Sequence, residues 1–191
     1  MKLMIASDIH GSAFYCEKLL EAYRRSGAER LILLGDILYH GPRNDLPKGY
    51  DTKRVAAMLN AMADEITCVQ GNCDAEVDQM VLEFPIQSGT RVEALQNRQM
   101  FLTHGHREHA EGDGSALPKE LRNGDLLIHG HTHLPVAERR TAGGREFLLM
   151  NPGSVSIPKG GYGNSYGILD DRDFTIYDFD GQVIRSIAWA V

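Results

Sequence analysis

The sequence predicts an α/β fold in which two mixed β-sheets pack face to face with helices outside. Three observations carry that expectation. The first third alternates apolar strand-like runs with amphipathic helical stretches. The second half is a series of short strand candidates separated by turn residues. Five apolar runs, spread over both halves, each end in residues that bind metals: Asp8-Ile9-His10, Gly35-Asp36, Gly71-Asn72-Cys73-Asp74, His104-Gly105-His106 and Gly130-His131-Thr132-His133. Such clusters at the carboxyl ends of buried strands suggest one site assembled from the whole chain.

The elements follow in order. Met1 to Ser7 reads as a buried strand. Cys16, Leu19, Leu20 and Tyr23 recur at i, i+3, i+4, i+7, which predicts a helix over residues 12–26 with Ser12 as N-cap and Gly27 as stop. Arg30–Leu34 is the second strand. Residues 39–51 form a loop rich in Gly, Pro and Asn. Val55, Met58, Leu59 and Met62 predict a second helix over residues 52–63, before a third strand at Ile66–Val69. This βαβαβ order calls for parallel strands and right-handed crossovers. Strand candidates then follow at residues 91–95, 99–103, 125–129, 136–140, 146–150, 166–170, 174–179 and 183–188. Asn97-Arg98, Gly143-Gly144 and Asp180-Gly181 supply hairpin turns, so this half should be largely antiparallel. Residues 108–114 read as a polar, flexible loop.

At 191 residues the chain suggests one domain, and 42% hydrophobic with 24% charged residues is enough apolar material for a real core. The net charge of −6 gives no broad surface for nucleic acid, and no stable nucleic-acid binding is expected. No apolar run reaches the roughly 18 residues of a membrane span, and Asp8 and His10 come too early for a signal peptide. Cys16, Cys68 and Cys73 make neither a CxxC pair nor an even framework, which points to a reducing, cytoplasmic setting.

The strand-end rule brings Asp8, His10, Asp36 and Asn72 into one region, with His104, His131 and His133 joining from the second sheet. Carboxylate, imidazole and amide donors suit Mn, Fe, Co, Ni or Zn in a catalytic site, not a thiolate-rich structural zinc site. Seven donors are too many for one ion with an open position, but they suit two, and a carboxylate can bridge them. His129 shares the alternation of His131 and His133, so spacing alone leaves it open as a donor.

Taken together and in this order, the five motifs resemble the calcineurin-like metallophosphoesterases from Met1 to about Ser154. Gly41-Pro42-Arg43-Asn44, Asp78-Gln79-Met80, Asn151-Pro152-Gly153-Ser154 and Ile157-Pro158-Lys159-Gly160-Gly161 are most similar to the small bacterial phosphodiesterases of the YfcE type. The resemblance implies a four-layer αββα sandwich and a site with two divalent ions, often manganese, with Zn, Fe, Ni or Co as alternatives. By motif, Asp8, His10 and His133 hold the first metal, Asp36 bridges, and Asn72, His104 and His131 hold the second. The motif also sets His129 aside as structural. A hydroxide bridging the ions would attack a small phosphodiester in line. A homodimer or homotetramer is the implied assembly.

The chain departs from the wider superfamily at Cys73, where many members carry the histidine that protonates the leaving oxygen. His106 and Cys73 are therefore the catalytic candidates, His106 to contact substrate or protonate the leaving group and Cys73 as a weaker acid. His40, His109 and Lys159 read as loop residues, and Asp74 as a turn residue or the partner of a ligand histidine. Three other functions compete: a nuclease, a phosphomonoesterase, and a non-catalytic scaffold of the retromer-subunit type. The absence of a basic stripe argues against the first, small size and Cys73 against the second, and the complete donor set against the third.

Overall fold

A computed structural model describes residues 1–108 and 114–189. His109 and most of the expected flexible loop lie outside the described residues. The first sheet takes β1 (Leu3–Ala6), β2 (Arg30–Leu33), β3 (Ile66–Val69) and β4 (Ile86–Gln87) from the first half, and β10 (Ser165–Leu169), β11 (Asp173–Asp178) and β12 (Val183–Ala188) from the end of the chain. Its order is β12-β11-β10-β1-β2-β3-β4. β1 to β4 run parallel, while β10 pairs antiparallel with β1. The second sheet holds β5 (Arg91–Leu95), β6 (Arg98–Leu102), β7 (Leu126–Ile128), β8 (Pro135–Ala142) and β9 (Arg145–Pro152) in the order β5-β6-β7-β9-β8. Its hairpins are antiparallel as expected, but β6, β7 and β9 run parallel at its centre.

The two α-helices of the described residues lie on the first sheet. α1 (Ala13–Ser26) begins where the Ser12 side chain accepts a hydrogen bond from the Tyr15 N–H, and it ends at Gly27, whose φ of 68° takes the left-handed conformation glycine tolerates. α2 (Thr52–Asn60) is capped by Asp51 and stops three residues short of the expected end. The reason is local: Asn60 turns its side chain to Val81 O and the Glu83 N–H, and residues 63–65 tighten into a 3₁₀ turn. The short β4 lies outside the expected strands, since two residues carry no periodicity. The first hairpin turns at Gln96-Asn97, one residue earlier than expected, with Gln96 at φ 55°.

Three apolar layers result. Cys16, Leu19, Leu20, Val55 and Leu59 from the helices pack on Met4, Leu31, Leu33 and Cys68. Between the sheets, Leu3, Ile5, Ile32 and Val69 meet Met100, Leu102, Ile128, Leu148 and Met150. Outside the second sheet, Leu117 and Leu121 cover Phe101, Leu127 and Phe147 from a chain of turns. Each fully buried aliphatic side chain contributes about 1.5–3 kcal/mol. The β1 sequence shows the consequence: buried on both faces, it is a continuous apolar run without alternation. Among the described residues no helix is long and apolar enough to cross a membrane.

Candidate metal centre

Five strands of like direction within their sheets deliver the seven expected donors, and the structure brings all seven together. Asp8 and His10 follow β1, Asp36 follows β2, Asn72 follows β3, His104 follows β6, and His131 and His133 follow β7. The loops after β1 and β2 are laced by backbone bonds from the N–H groups of Asp8, His10 and Gly11 to the carbonyls of Gly35, Asp36 and Ile37. Asp8, His10, Asp36, His131 and His133 all have positive φ, between 48° and 65°. L-residues adopt this region at a cost, and such strain persists where surrounding structure holds it for function. Here it turns alternate side chains of each tight loop toward one point.

Glycines make the close approach possible. A Cβ on Gly71 would collide with the Asp36 carboxylate, and a Cβ on Gly130 with the Ser7 hydroxyl beside Asp8.

One end of the cluster is formed by Asp8, His10 and His133. The Nε2 atoms of the two rings lie 3.4 Å apart, and each faces Asp8 Oδ1, at 3.6 Å for His10 and 3.3 Å for His133. The His10 Nδ1–H donates to Tyr39 O at 2.8 Å, and the His133 Nδ1–H donates to Ile157 O. Those partners imply the tautomer in which Nε2 presents a lone pair. Asp8 is fixed from behind, where its backbone carbonyl accepts from the hydroxyls of Ser154 and Ser156.

The other end holds Asn72, His104 and His131. His104 Nδ1–H donates to Leu34 O at 2.7 Å, while its Nε2 faces Asn72 Oδ1 at 3.0 Å and His131 Nδ1 at 3.3 Å. Asp36 lies between the ends, its Oδ2 3.7 Å from His10 Nε2 and 3.4 Å from His104 Nε2.

The charges are consistent with a cation site. Burial alone would raise the Asp8 carboxyl, but His133, His104 and His10 outweigh it and hold Asp8 well below the usual carboxylate range. Burial likewise opposes ionisation of Asp36, yet the hydrogen bond and charge of His104 bring it down. Burial disfavours the His104 cation, but Asp36 and Asp8 raise that ring to about 9. In the metal-free protein a proton thus sits where positive charge is wanted.

Several observations test whether a divalent ion fits. Asp8 Oδ1 is buried and has no hydrogen-bond partner among the described residues. The Nε2 atoms of His10 and His133 face one another at 3.4 Å with both Nδ1–H groups already donated to carbonyls, so two lone pairs point at a common space. Asp8, His10 and His133 bring their donor atoms within 4.8 Å of one another, as do Asp8, Asp36 and His104. This oxygen and nitrogen set fits borderline divalent ions.

The remaining residues separate clearly. Cys73 joins His10 and Asp36 in a third such group. Its backbone N–H donates to Asp36 Oδ1 at 2.8 Å. Burial and the adjacent Asp36 push its thiol up to about 12, so the sulfur holds its proton. Among the described residues the Asp74 carboxylate meets no histidine. It accepts the N–H groups of Asp36, Ile37 and Gly71 at 2.7–2.8 Å, which ties the β2 and β3 loops together. His129 is buried away from the donors against Gly130 O, and burial lowers it to about 4. His40 packs on Tyr39 and Tyr50. His106 borders the cluster, its ring 5.5 Å from that of His104. The carbonyls of Tyr39, Leu34 and Ile157 that set the tautomers have no counterpart among the sequence motifs, because backbone atoms leave no residue signature.

The fold and donor set define a metallophosphoesterase, and the chain belongs to the calcineurin-like phosphoesterase superfamily, whose domain matches residues 1–173. Over 189 residues it is 50% identical to Phosphodiesterase YfcE of Escherichia coli K12, covering 98% of both chains. The solved structure of the E. coli YfcE phosphoesterase superposes with a TM-score of 0.89 at 48% identity, covering 98% of this chain and 99% of that one. Probable metallophosphoesterase YsnB of Bacillus subtilis is 28% identical over 98% of this chain and 96% of its own.

Proposed function

We propose that the chain hydrolyses a small phosphodiester at a centre for two divalent ions, manganese foremost, which supply Lewis-acid charge and a hydroxide nucleophile. The coarser activity rests on family membership and on half-identity across both full lengths: this is a metal-dependent phosphodiesterase. One observation carries the two-ion reading. Asp36 Oδ2 lies within 3.7 Å of His10 Nε2 and 3.4 Å of His104 Nε2, so one carboxylate serves both ends.

In this reading Asp8, His10 and His133 hold one ion, Asn72, His104 and His131 the other, and Asp36 both. The donors span residues 8–133, so we treat the chain as one catalytic domain. We assign Cys73 a contact role, because its backbone N–H already holds Asp36 Oδ1 at 2.8 Å and, in the metal-free protein, burial and Asp36 make its thiol a weak acid. His106 has its pKa lowered by burial and by His104, and its Nδ1 has no partner among the described residues. In this reading it meets the substrate beside the second ion.

The test compares bis(p-nitrophenyl) phosphate with p-nitrophenyl phosphate, using metal-stripped protein with and without manganese. Turnover of the diester only with metal, and two ions per chain by elemental analysis, is the expected result. Asp36→Asn should lose at least about a hundredfold in turnover. A clear preference for the monoester, or unchanged turnover in Asp36→Asn, overturns the reading.

A further inference from the structure

The cleft over the donor cluster has a volume of about 380 Å³, and its walls carry two cations, Arg43 and Lys159. Both residues are exposed, and neither side chain has an ion-pair or hydrogen-bond partner among the described residues. The chain as a whole is acidic, at −6, so this pair is not part of a generally basic surface. The one carboxylate lining the cleft is Asp36, which serves both ions in the proposed centre.

Both cations ride on loops that the centre itself fixes. Tyr39 O holds the His10 ring at 2.8 Å, and the chain then turns through residues 41–44. That turn is closed by Asn44 N–H to Gly41 O at 3.4 Å and by the Asn44 side chain to His40 O at 2.7 Å. On the opposite wall, Ile157 O holds the His133 ring. The Lys159 N–H then donates back to His133 O at 3.3 Å, and the Tyr162 N–H closes the turn on Lys159 O at 3.2 Å. Arg43 and Lys159 therefore each follow, by a few residues, a carbonyl that sets the tautomer of a donor histidine.

A phosphodiester brings a single negative charge, and a centre of two divalent ions with two carboxylates and a hydroxide already balances it. Two further cations go beyond that balance, and a second anion on the substrate would match them. Arginine pairs with carboxylate or phosphate through a planar fork, and lysine adds a point charge.

We propose that Arg43 and Lys159 form a subsite for a second anionic group, so that the substrate is a phosphodiester with a carboxylate or a further phosphate on one of its alcohols. The proposal rests on the phosphodiesterase reading and adds the substrate class to it. The test uses the full, manganese-loaded chain and four diesters that all release p-nitrophenolate. Their second substituents are propyl, choline, 2-carboxyethyl and 2-phosphonoethyl.

Wild type should favour an anionic tail over propyl by about tenfold or more in kcat/KM, the usual yield of a charge-assisted contact, and should disfavour choline. Arg43→Ala and Lys159→Ala should each move the anionic-to-propyl ratio toward one. Arg43→Glu should reverse it, and the conservative Arg43→Lys and Lys159→Arg should retain most of it. A larger gain for phosphonate than for carboxylate identifies the second group as phosphate, and the reverse identifies it as carboxylate. A wild-type ratio near one, or an unchanged ratio in both alanine variants, overturns the subsite while propyl turnover keeps the phosphodiesterase reading intact. Hydrolysis of none of the four removes both.

Discussion

The two ends of the donor cluster are built differently. At the Asp8 end every donor is buried, with exposures of 0%, 1% and 3% for Asp8, His10 and His133. Both rings there are locked by backbone carbonyls. At the other end only His104 is comparably held. Asn72 is exposed, and among the described residues its side chain hydrogen-bonds to His104 and the Cys73 sulfur. His131 is half-buried and turns Nδ1 rather than Nε2 to the cluster. The difference teaches that donors of one site can be fixed to different degrees. The closed end is preformed by folding, whereas the open end leaves Asn72 and His131 to be ordered by what they bind.

Substitution on each side should break the two ends apart. His10→Ala removes a buried ring that holds the loop after β2 through Tyr39 O, and it leaves Asp8 facing one donor fewer. We expect a loss of about 2–4 kcal/mol in stability, together with loss of the first ion. Asn72→Ala should cost under about 1 kcal/mol in the metal-free protein, because the side chain is exposed, yet weaken the second ion at least about tenfold. Denaturant titration of the metal-free variants, followed by calorimetric metal titration, measures both. Equal stability losses in the two variants would remove the proposed contrast.

Protons report the same asymmetry more gently. Free His104 is raised from 6.5 to about 9 by Asp36 and Asp8 against the effect of burial. A group whose folded pKa is raised adds stability that is complete below the unfolded value and fades as pH rises through the folded one. Metal-free protein should therefore lose up to about 3 kcal/mol between pH 6.5 and 9, roughly 5–10 °C in Tm. His129, His131 and His106 are shifted downward and act below that window. In the proposed centre a bound ion requires neutral His104, so manganese should flatten the slope, and His104→Asn should flatten it without metal. A metal-free Tm that stays level from pH 6.5 to 9 would contradict the assigned proton.

Much of this is legible in the sequence because strands buried on both faces read as apolar runs, and polar residues straight after them stand out. The seven donors show themselves that way, and α1 shows itself in its i, i+3, i+4, i+7 stripe and its Ser12 and Gly27 ends. What the sequence hides has a physical cause in each case. β4 is two residues long and adds a pair of hydrogen bonds rather than a pattern. The parallel centre of the second sheet depends on which strands neighbour each other, which local alternation does not encode. Asp74 reads as a possible partner for a histidine, but carboxylates also satisfy backbone N–H groups, and here three such groups claim it.

Cys73 gives the smallest effect and the sharpest question about the open end. It stands where many superfamily members place a histidine, and in the metal-free protein burial and Asp36 oppose a thiolate and push its thiol up to about 12. What it supplies to Asp36 comes from its backbone, through the N–H to Oδ1 at 2.8 Å, and any residue other than proline at this position retains that bond. Cys73→Ser should therefore change kcat for bis(p-nitrophenyl) phosphate by less than about threefold, since p-nitrophenolate leaves without needing a proton. It should also leave the stoichiometry of two ions unchanged. A loss of about a hundredfold would make the sulfur an acid or a ligand, and the open end would then be held as firmly as the closed one.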